Sequence, residues 1–171
     1  TRCTTLFPYT TLFRSRARHE GESHGADYEL PNQRAYAETC AAIGLVFFAH
    51  RMLQIDPAGE YADAMERALY NGVLSGSSLD GTRFFYVNPM ASAGDHHRQE
   101  WFGCACCPPN YARLLASLGQ YAYSAGDGAA WVHLYIAGAA RCEVAGTTVQ
   151  LDVQTDYHWN GDIVIRVRPE R

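Results

Sequence analysis

Three cysteines fall within four residues in Gly103-Cys104-Ala105-Cys106-Cys107-Pro108-Pro109-Asn110, directly ahead of a helix-like segment. A thiol cluster in such a place has three chemistries open to it: metal binding, redox exchange, or nucleophilic attack. The partial positive charge at a helix N-terminus favours thiolate over thiol. Pro108 disfavours helical backbone at the residue before it, so Cys107 is expected to be extended, leading into the helix rather than lying within it. Glu38-Thr39-Cys40 supplies a second group of candidates. Thiolates and a carboxylate suit zinc, and four of them make a tetrahedral site. The spacing is not that of a zinc finger, so such a site would tie distant segments together. Buried thiols acting as small hydrophobes are the bland alternative. One condition is geometric. Glu38 and Cys40 sit about 200° apart on an ideal helix, so they can share an ion only if the helix is irregular there or begins later than Tyr36.

The elements that must position these residues come in two kinds. Asn32 can cap a helix, and Tyr36 to Ile55 carries apolar residues nearly all round, as in a helix buried inside a helical assembly. Asp56-Pro57-Ala58-Gly59 ends it. Tyr61 to Leu74 is a second helix and completes a helical hairpin. Thr82 to Val87 is strand-like, Asn88 to Gln99 is a loop bearing His96 and His97, and Pro109 to Ser124 is a third helix. From Ala130 the pattern becomes that of strands: Trp131 to Ile136, Val149 to Val153 and Ile163 to Val167, with turns at Gly138, Gly146 and Gly161. The class is therefore α then β, with the change near Ala125 to Gly128. Neither part is complete, and the chain reads as a piece of a larger protein.

Composition narrows the functions. The net charge is −4 and Lys/Arg clusters are scarce, which argues against a nucleic-acid surface. No apolar run is long enough to predict a membrane span. Eleven tyrosines suit sugar stacking and ordinary cores alike. Six unevenly spaced cysteines in 171 residues do not read as a disulfide scaffold, so a reducing, cytoplasmic setting is expected. Residues 1–15 lack the layout of a signal peptide and contain a near-repeat of Thr-Thr-Leu-Phe; they read as translated adapter sequence and are set aside. Residues 16–34 form a polar loop with His19, Glu22 and His24, either a site wall or a solvated surface. His50 is expected to be a satisfied helix residue, His96 and His97 surface groups, Cys142 a structural thiol, and Trp131 and Trp159 packing residues of the β part.

His19-Glu20-Gly21-Glu22-Ser23, Tyr28-Glu29-Leu30-Pro31-Asn32, Glu38-Thr39-Cys40-Ala41, Glu66-Arg67-Ala68-Leu69-Tyr70-Asn71 and the cysteine motif together resemble glycoside hydrolase family 127. Its type activity is a β-L-arabinofuranosidase, and the resemblance runs from about residue 17 to 171. It implies a catalytic (α/α)6 barrel followed by β-sandwich domains. Residues 16–126 would then be the C-terminal part of the barrel and 127–171 the start of a sandwich. It also implies a retaining mechanism with a zinc-bound cysteine nucleophile. Carried over by motif, the zinc ligands are Glu38, Cys40, Cys106 and Cys107, with Cys106 the nucleophile and Glu22 the general acid/base. Cys104 lines the site and Tyr86, in Phe-Phe-Tyr-Val-Asn-Pro, contacts the sugar.

The implied cofactor is Zn2+. The implied partners are a plant-derived oligosaccharide with terminal L-arabinofuranose and, for the full-length bacterial protein, a second copy. The early barrel helices of the family are absent, so this chain alone is expected to have weak or no hydrolase activity. Two other readings compete: a structural zinc module built on Cys40, Cys104, Cys106 and Cys107, and a redox pair formed by Cys104 with Cys106 or Cys107.

Overall fold

In the computed structural model, which describes residues 32–126 and 128–170, helix α1 runs Thr39–Ile55. It starts three residues later than the apolar pattern suggested. It ends where Pro57 forces the preceding residue out of helical backbone: Asp56 is extended, with its N–H still donating to Met52 O at 2.8 Å. Ile43, Leu45, Val46, Ala49 and Leu53 are buried. The burial is not all round, because Gly44, Phe48, Arg51 and Ile55 form one exposed stripe.

Helix α2, Gly59–Arg67, lies against α1 and continues into a π-helical turn, Ala68–Val73, and a 3-10 turn, Leu74–Gly76. The Leu74 N–H donates to Leu69 O, five residues back, and the widened turn carries buried Ala68, Leu69 and Val73 into the core beside Met65. Helix α3, Cys107–Ala116, packs across α1 and adds Leu114 to the same core.

The expected third helix is broken in two. Ser117 Oγ donates to Arg113 O at 2.9 Å and Leu114 O at 3.2 Å, competing with the helical backbone. A short α4, Gly119–Ala122, follows, and the chain turns into strand β1, Tyr123–Ala125.

The segment expected as a strand at 82–87 makes no ladder. Its backbone is shared among three neighbours by isolated pairings: Phe84 with Ser77 and with Gln99, and Val87 with Glu38. Its aromatic side chains are braced instead. The Phe85 ring stacks on His96 at 4.8 Å, and the Arg98 guanidinium lies 4.3 Å from its centroid while donating to Ser75 O. His96 is therefore a half-buried brace rather than a surface group, with its ring nitrogen 2.9 Å from Val87 O; His97 is exposed.

Strand β1 pairs antiparallel with β2, Ala130–Val132. The expected strand to Ile136 stops at Val132 because the chain bends inward to bury His133 and Leu134. A second sheet orders β3 (Gly138–Val144), β4 (Thr147–Thr155) and β5 (Ile163–Pro169), all antiparallel. Ala145 and Gly146, both at positive φ, close the β3–β4 hairpin with a two-residue turn whose twist matches the strands. Trp159 is 96% exposed, contrary to a packing role, whereas its neighbours dock on the helices. Tyr157 O–H donates to Glu66 Oε1 at 3.2 Å, and the His158 ring lies 3.9 Å from that of Tyr70. Among the described residues no helix is long and apolar enough to cross a membrane.

Candidate metal centre

Helix α1 begins one residue after Glu38. Glu38 itself has extended backbone (φ −62°, ψ 137°), and Ala37 is turned into the left-handed region at φ 30°. This break meets the condition set by the two-residue spacing, because Glu38 is released from helical geometry while Cys40 stays within it. Thr39 holds the break in place. Its N–H donates to Tyr86 O and its hydroxyl to Phe85 O, both at 2.9 Å. Asn88 Nδ2 donates to Ala37 O and to Thr39 Oγ1 at 3.1 and 3.0 Å. The braced 84–88 segment thereby fixes the N-terminal end of α1.

The other half of the centre is the start of α3. Cys106 is its N-cap with helical backbone (φ −83°, ψ −37°), and its carbonyl accepts from the Asn110 N–H at 3.2 Å. Cys107 is the first helical residue rather than an extended one. The bias imposed by Pro108 is overcome here, in a buried residue whose sulfur contacts Cys40 and Glu38. The two prolines then occupy the first turn, where their missing N–H groups leave no helical bond unmade.

The two helix starts converge. Cys40 Sγ lies 3.3 Å from Cys107 Sγ and 3.7 Å from Cys106 Sγ, and the latter two sulfurs are 3.8 Å apart. Glu38 Oε1 is 3.6 Å from Cys106 Sγ and 3.7 Å from Cys107 Sγ. All four ligand atoms lie within 4.8 Å of one another. With Zn–S near 2.3 Å and Zn–O near 2.0 Å, a tetrahedral zinc site has edges of about 3.8 Å between sulfurs and about 3.5 Å between sulfur and oxygen. Cys40–Cys106, Cys106–Cys107 and both Glu38 contacts to Cys106 and Cys107 lie close to those values, whereas Cys40–Cys107, at 3.3 Å, is shorter, and Glu38 to Cys40 is bounded at 4.8 Å. Glu38 is 4% exposed and Cys107 1%, whereas Cys40 and Cys106 are half-buried.

The thiols of the centre also shift one another's protonation. The contact with the Cys107 sulfur is the main cause that draws Cys40 down to about 7 from an ordinary thiol value. That same contact, with burial behind it, pushes Cys107 up. Burial is the main cause that raises Cys106, partly countered by Tyr86, whose hydroxyl oxygen is 3.1 Å from its sulfur. The Tyr86 phenol is itself raised, chiefly by this contact with Cys106. Three thiolates packed this closely would repel one another. A divalent ion among them would offset that repulsion. The donor set of soft sulfur and one carboxylate fits zinc.

A model of the beta-L-arabinofuranosidase GH127 catalytic domain matches residues 14–120. The chain belongs to glycoside hydrolase family 127. It is 42% identical, over 158 residues, to a non-reducing end beta-L-arabinofuranosidase of Bifidobacterium longum subsp. longum, a match covering 85% of this chain and 24% of that protein. A GH127 beta-L-arabinofuranosidase structure from Geobacillus stearothermophilus T6 superposes with a TM-score of 0.86 at 48% identity, over 95% of this chain and 27% of that one. Another GH127 beta-arabinofuranosidase structure gives 0.86 at 45% identity, over 93% of this chain and 25% of that one. The chain thus spans about a quarter of the length of these relatives. Helices followed by antiparallel strands are common to this GH127 chain and the structures it matches.

Within this GH127 chain the residues singled out from sequence divide into three groups. Glu38, Cys40, Cys106 and Cys107 come together, with Tyr86 against Cys106. Cys104 is exposed and outside the four-ligand group, which leaves the all-thiolate set of the structural-module reading unassembled. Glu22, His19 and His24 lie outside the described residues, as do residues 1–15. The described cysteines are free, so the redox pairing of Cys104 is not formed. Sequence reasoning passed over Thr39, Asn88 and Asn110. All three stood inside motifs already quoted, Asn88 in Phe-Phe-Tyr-Val-Asn-Pro, and their polar side chains close in sequence to the candidate residues were the available signal.

Proposed function

We propose that this chain is part of a zinc-dependent retaining glycoside hydrolase that releases L-arabinose from terminal β-L-arabinofuranosides of plant-derived oligosaccharides. The observation that carries the reading is the convergence of Glu38, Cys40, Cys106 and Cys107, all four ligand atoms within 4.8 Å of one another and most edges close to those of a tetrahedral zinc–thiolate site. The helices belong to an (α/α)6 barrel (residues 16–126) and the strands open a β-sandwich (127–171). The full-length protein is cytoplasmic and pairs with a second copy.

When bound by Glu38, Cys40, Cys106 and Cys107, zinc keeps these thiols ionised at neutral pH. Cys106 is the member suited to attack. Its sulfur is half-buried rather than enclosed, and the Tyr86 hydroxyl beside it orients both the sulfur and an incoming sugar. Glu22 acts as acid, giving its proton to the leaving glycosidic oxygen as the Cys106 sulfur bonds to the anomeric carbon. The Glu22 carboxylate then takes a proton from water. The water oxygen displaces the sulfur, so two inversions return the original configuration. Cys107 and Glu38, both buried, hold the centre while Cys106 turns over.

The test uses the full-length protein and an aryl β-L-arabinofuranoside. The first-formed sugar should be the β anomer by NMR, and Cys106→Ser should lower kcat at least a thousandfold. An inverted product, or a Cys106→Ser variant within tenfold of the parent, overturns the proposal.

A further inference from the structure

Asn110 is the fourth residue of α3, one turn beyond Cys106. Its side chain crosses to the other half of the centre: Nδ2 donates to Cys40 Sγ at 3.2 Å, across 70 residues of sequence. Its backbone N–H is engaged separately, with Cys106 O at 3.2 Å. One residue thus bonds to both cysteine segments, by main chain to one and by side chain to the other. An amide N–H pointed at a thiolate makes a charge-assisted bond, stronger than the same bond to a neutral thiol. The Cys40 sulfur lies 3.3 and 3.7 Å from the other two. A rotation about its χ1 would open the four-ligand set.

We propose that Asn110 is a positioning residue of the metal centre, its carboxamide holding the Cys40 sulfur at the place the ion requires. The inference rests on the metal reading above and extends it to a group outside the ligand set. Partners that hold a metal ligand in place typically contribute ten- to a hundredfold in metal affinity. The bond also makes the sulfurs unequal. Cys40 receives a fixed amide donor, whereas Cys106 faces the Tyr86 hydroxyl.

Asn110→Ala and Asn110→Asp separate this role from a structural one. Alanine has the higher helix propensity, so loss of the side chain should leave metal-free stability unchanged or raised. Aspartate keeps the volume and suits an early helix position, but presents an oxygen where the sulfur needs a donor. The experiment is a Co(II) titration of the full-length protein, followed through the sulfur-to-cobalt charge-transfer bands, with Zn(II) competition and metal-free melting in parallel. The parent should show thiolate–cobalt bands. Asn110→Ala should bind ten- to a hundredfold more weakly and Asn110→Asp more weakly still, with shifted bands and unchanged metal-free melting. Equal affinity and spectra in all three proteins overturn the role of Asn110 and leave the metal site standing. Metal-free melting that falls in step with affinity shows a structural role and overturns it too. A parent without thiolate bands removes the metal reading and this inference with it.

Discussion

Cys40 Sγ stands 3.3 Å from Cys107 Sγ although 67 residues separate them in the chain. The contact joins the starts of α1 and α3, where all four candidate ligands gather: Cys40 and Cys107 in the helices, Glu38 and Cys106 at their N-caps. An ion at this junction finds all four ligands only in the folded state, so it should stabilise by mass action. At a free zinc concentration a thousand times the dissociation constant the gain is about 4 kcal/mol, or roughly 8–16 °C in melting temperature for a chain of this size. Calorimetry with zinc and then with a chelator checks this. Cys40→Ser should abolish most of the zinc-dependent rise, and an equal rise in that variant would place the ion elsewhere.

Gly76 sets a second, steric condition. A Cβ at this position would lie 2.8 Å from Thr39 Cγ2 and 2.9 Å from Thr39 Oγ1. Thr39 sits between two ligands and is tied to Phe85 O and Tyr86 O, so it has little room to yield. Gly76→Ala should therefore cost about 1–3 kcal/mol, as overpacking does, and should weaken zinc binding as well. Chemical denaturation and a zinc titration measure both. A variant as stable as the parent would show that Thr39 moves freely.

Leu114 is fully buried, on the face of α3 that packs into the core shared with α1 and the π-helical turn. Leu114→Ala removes packing that holds the Cys106–Cys107 end of α3 against the Glu38–Cys40 end of α1. The expected loss is about 2–5 kcal/mol, read as a lower denaturation midpoint. Leu115, one position along and exposed, should tolerate alanine within about 0.5 kcal/mol.

The cysteine motif and Glu38-Thr39-Cys40 were legible in sequence because their chemistry is local to each motif. The two-residue spacing of Glu38 and Cys40 even stated the condition that the delayed start of α1 meets. Other features depend on distant contacts. The 82–87 segment has the aromatic, β-branched composition of a strand, yet its hydrogen bonds go singly to three neighbours. Strand β3, Gly-Ala-Ala-Arg-Cys-Glu-Val, has almost no strand-forming residues and is held by its pairing with β4. The π-helical turn leaves no mark in the apolar period, and the break after Ala116 comes from a serine that bonds backward onto the helix. Asn110 could be placed near the cysteines, but its bond to Cys40 depends on how α1 and α3 cross.

His133 gives the fold a pH dependence of its own. It is buried under the β1–β2 hairpin, with Nε2 2.7 Å from Ser124 Oγ. Burial is the main cause that holds its pKa below the ordinary histidine value, and His50 adds to it. The folded state therefore resists a proton that the unfolded chain accepts. Stability is full above about pH 6.5, the unfolded value, and declines as pH falls from there toward the lower folded value. Metal-free melting between pH 7 and 5 should show this decline, and His133→Gln should make it shallower. A variant with an unchanged slope would assign the decline to other groups.

X-ray absorption at the zinc edge, on the purified and zinc-loaded protein, tests the central claim most directly. The account predicts one zinc per chain with three sulfurs near 2.3 Å and one oxygen near 2.0 Å, from Cys40, Cys106, Cys107 and Glu38. A shell of four sulfurs, which would draw in Cys104, or a shell without sulfur, would contradict it.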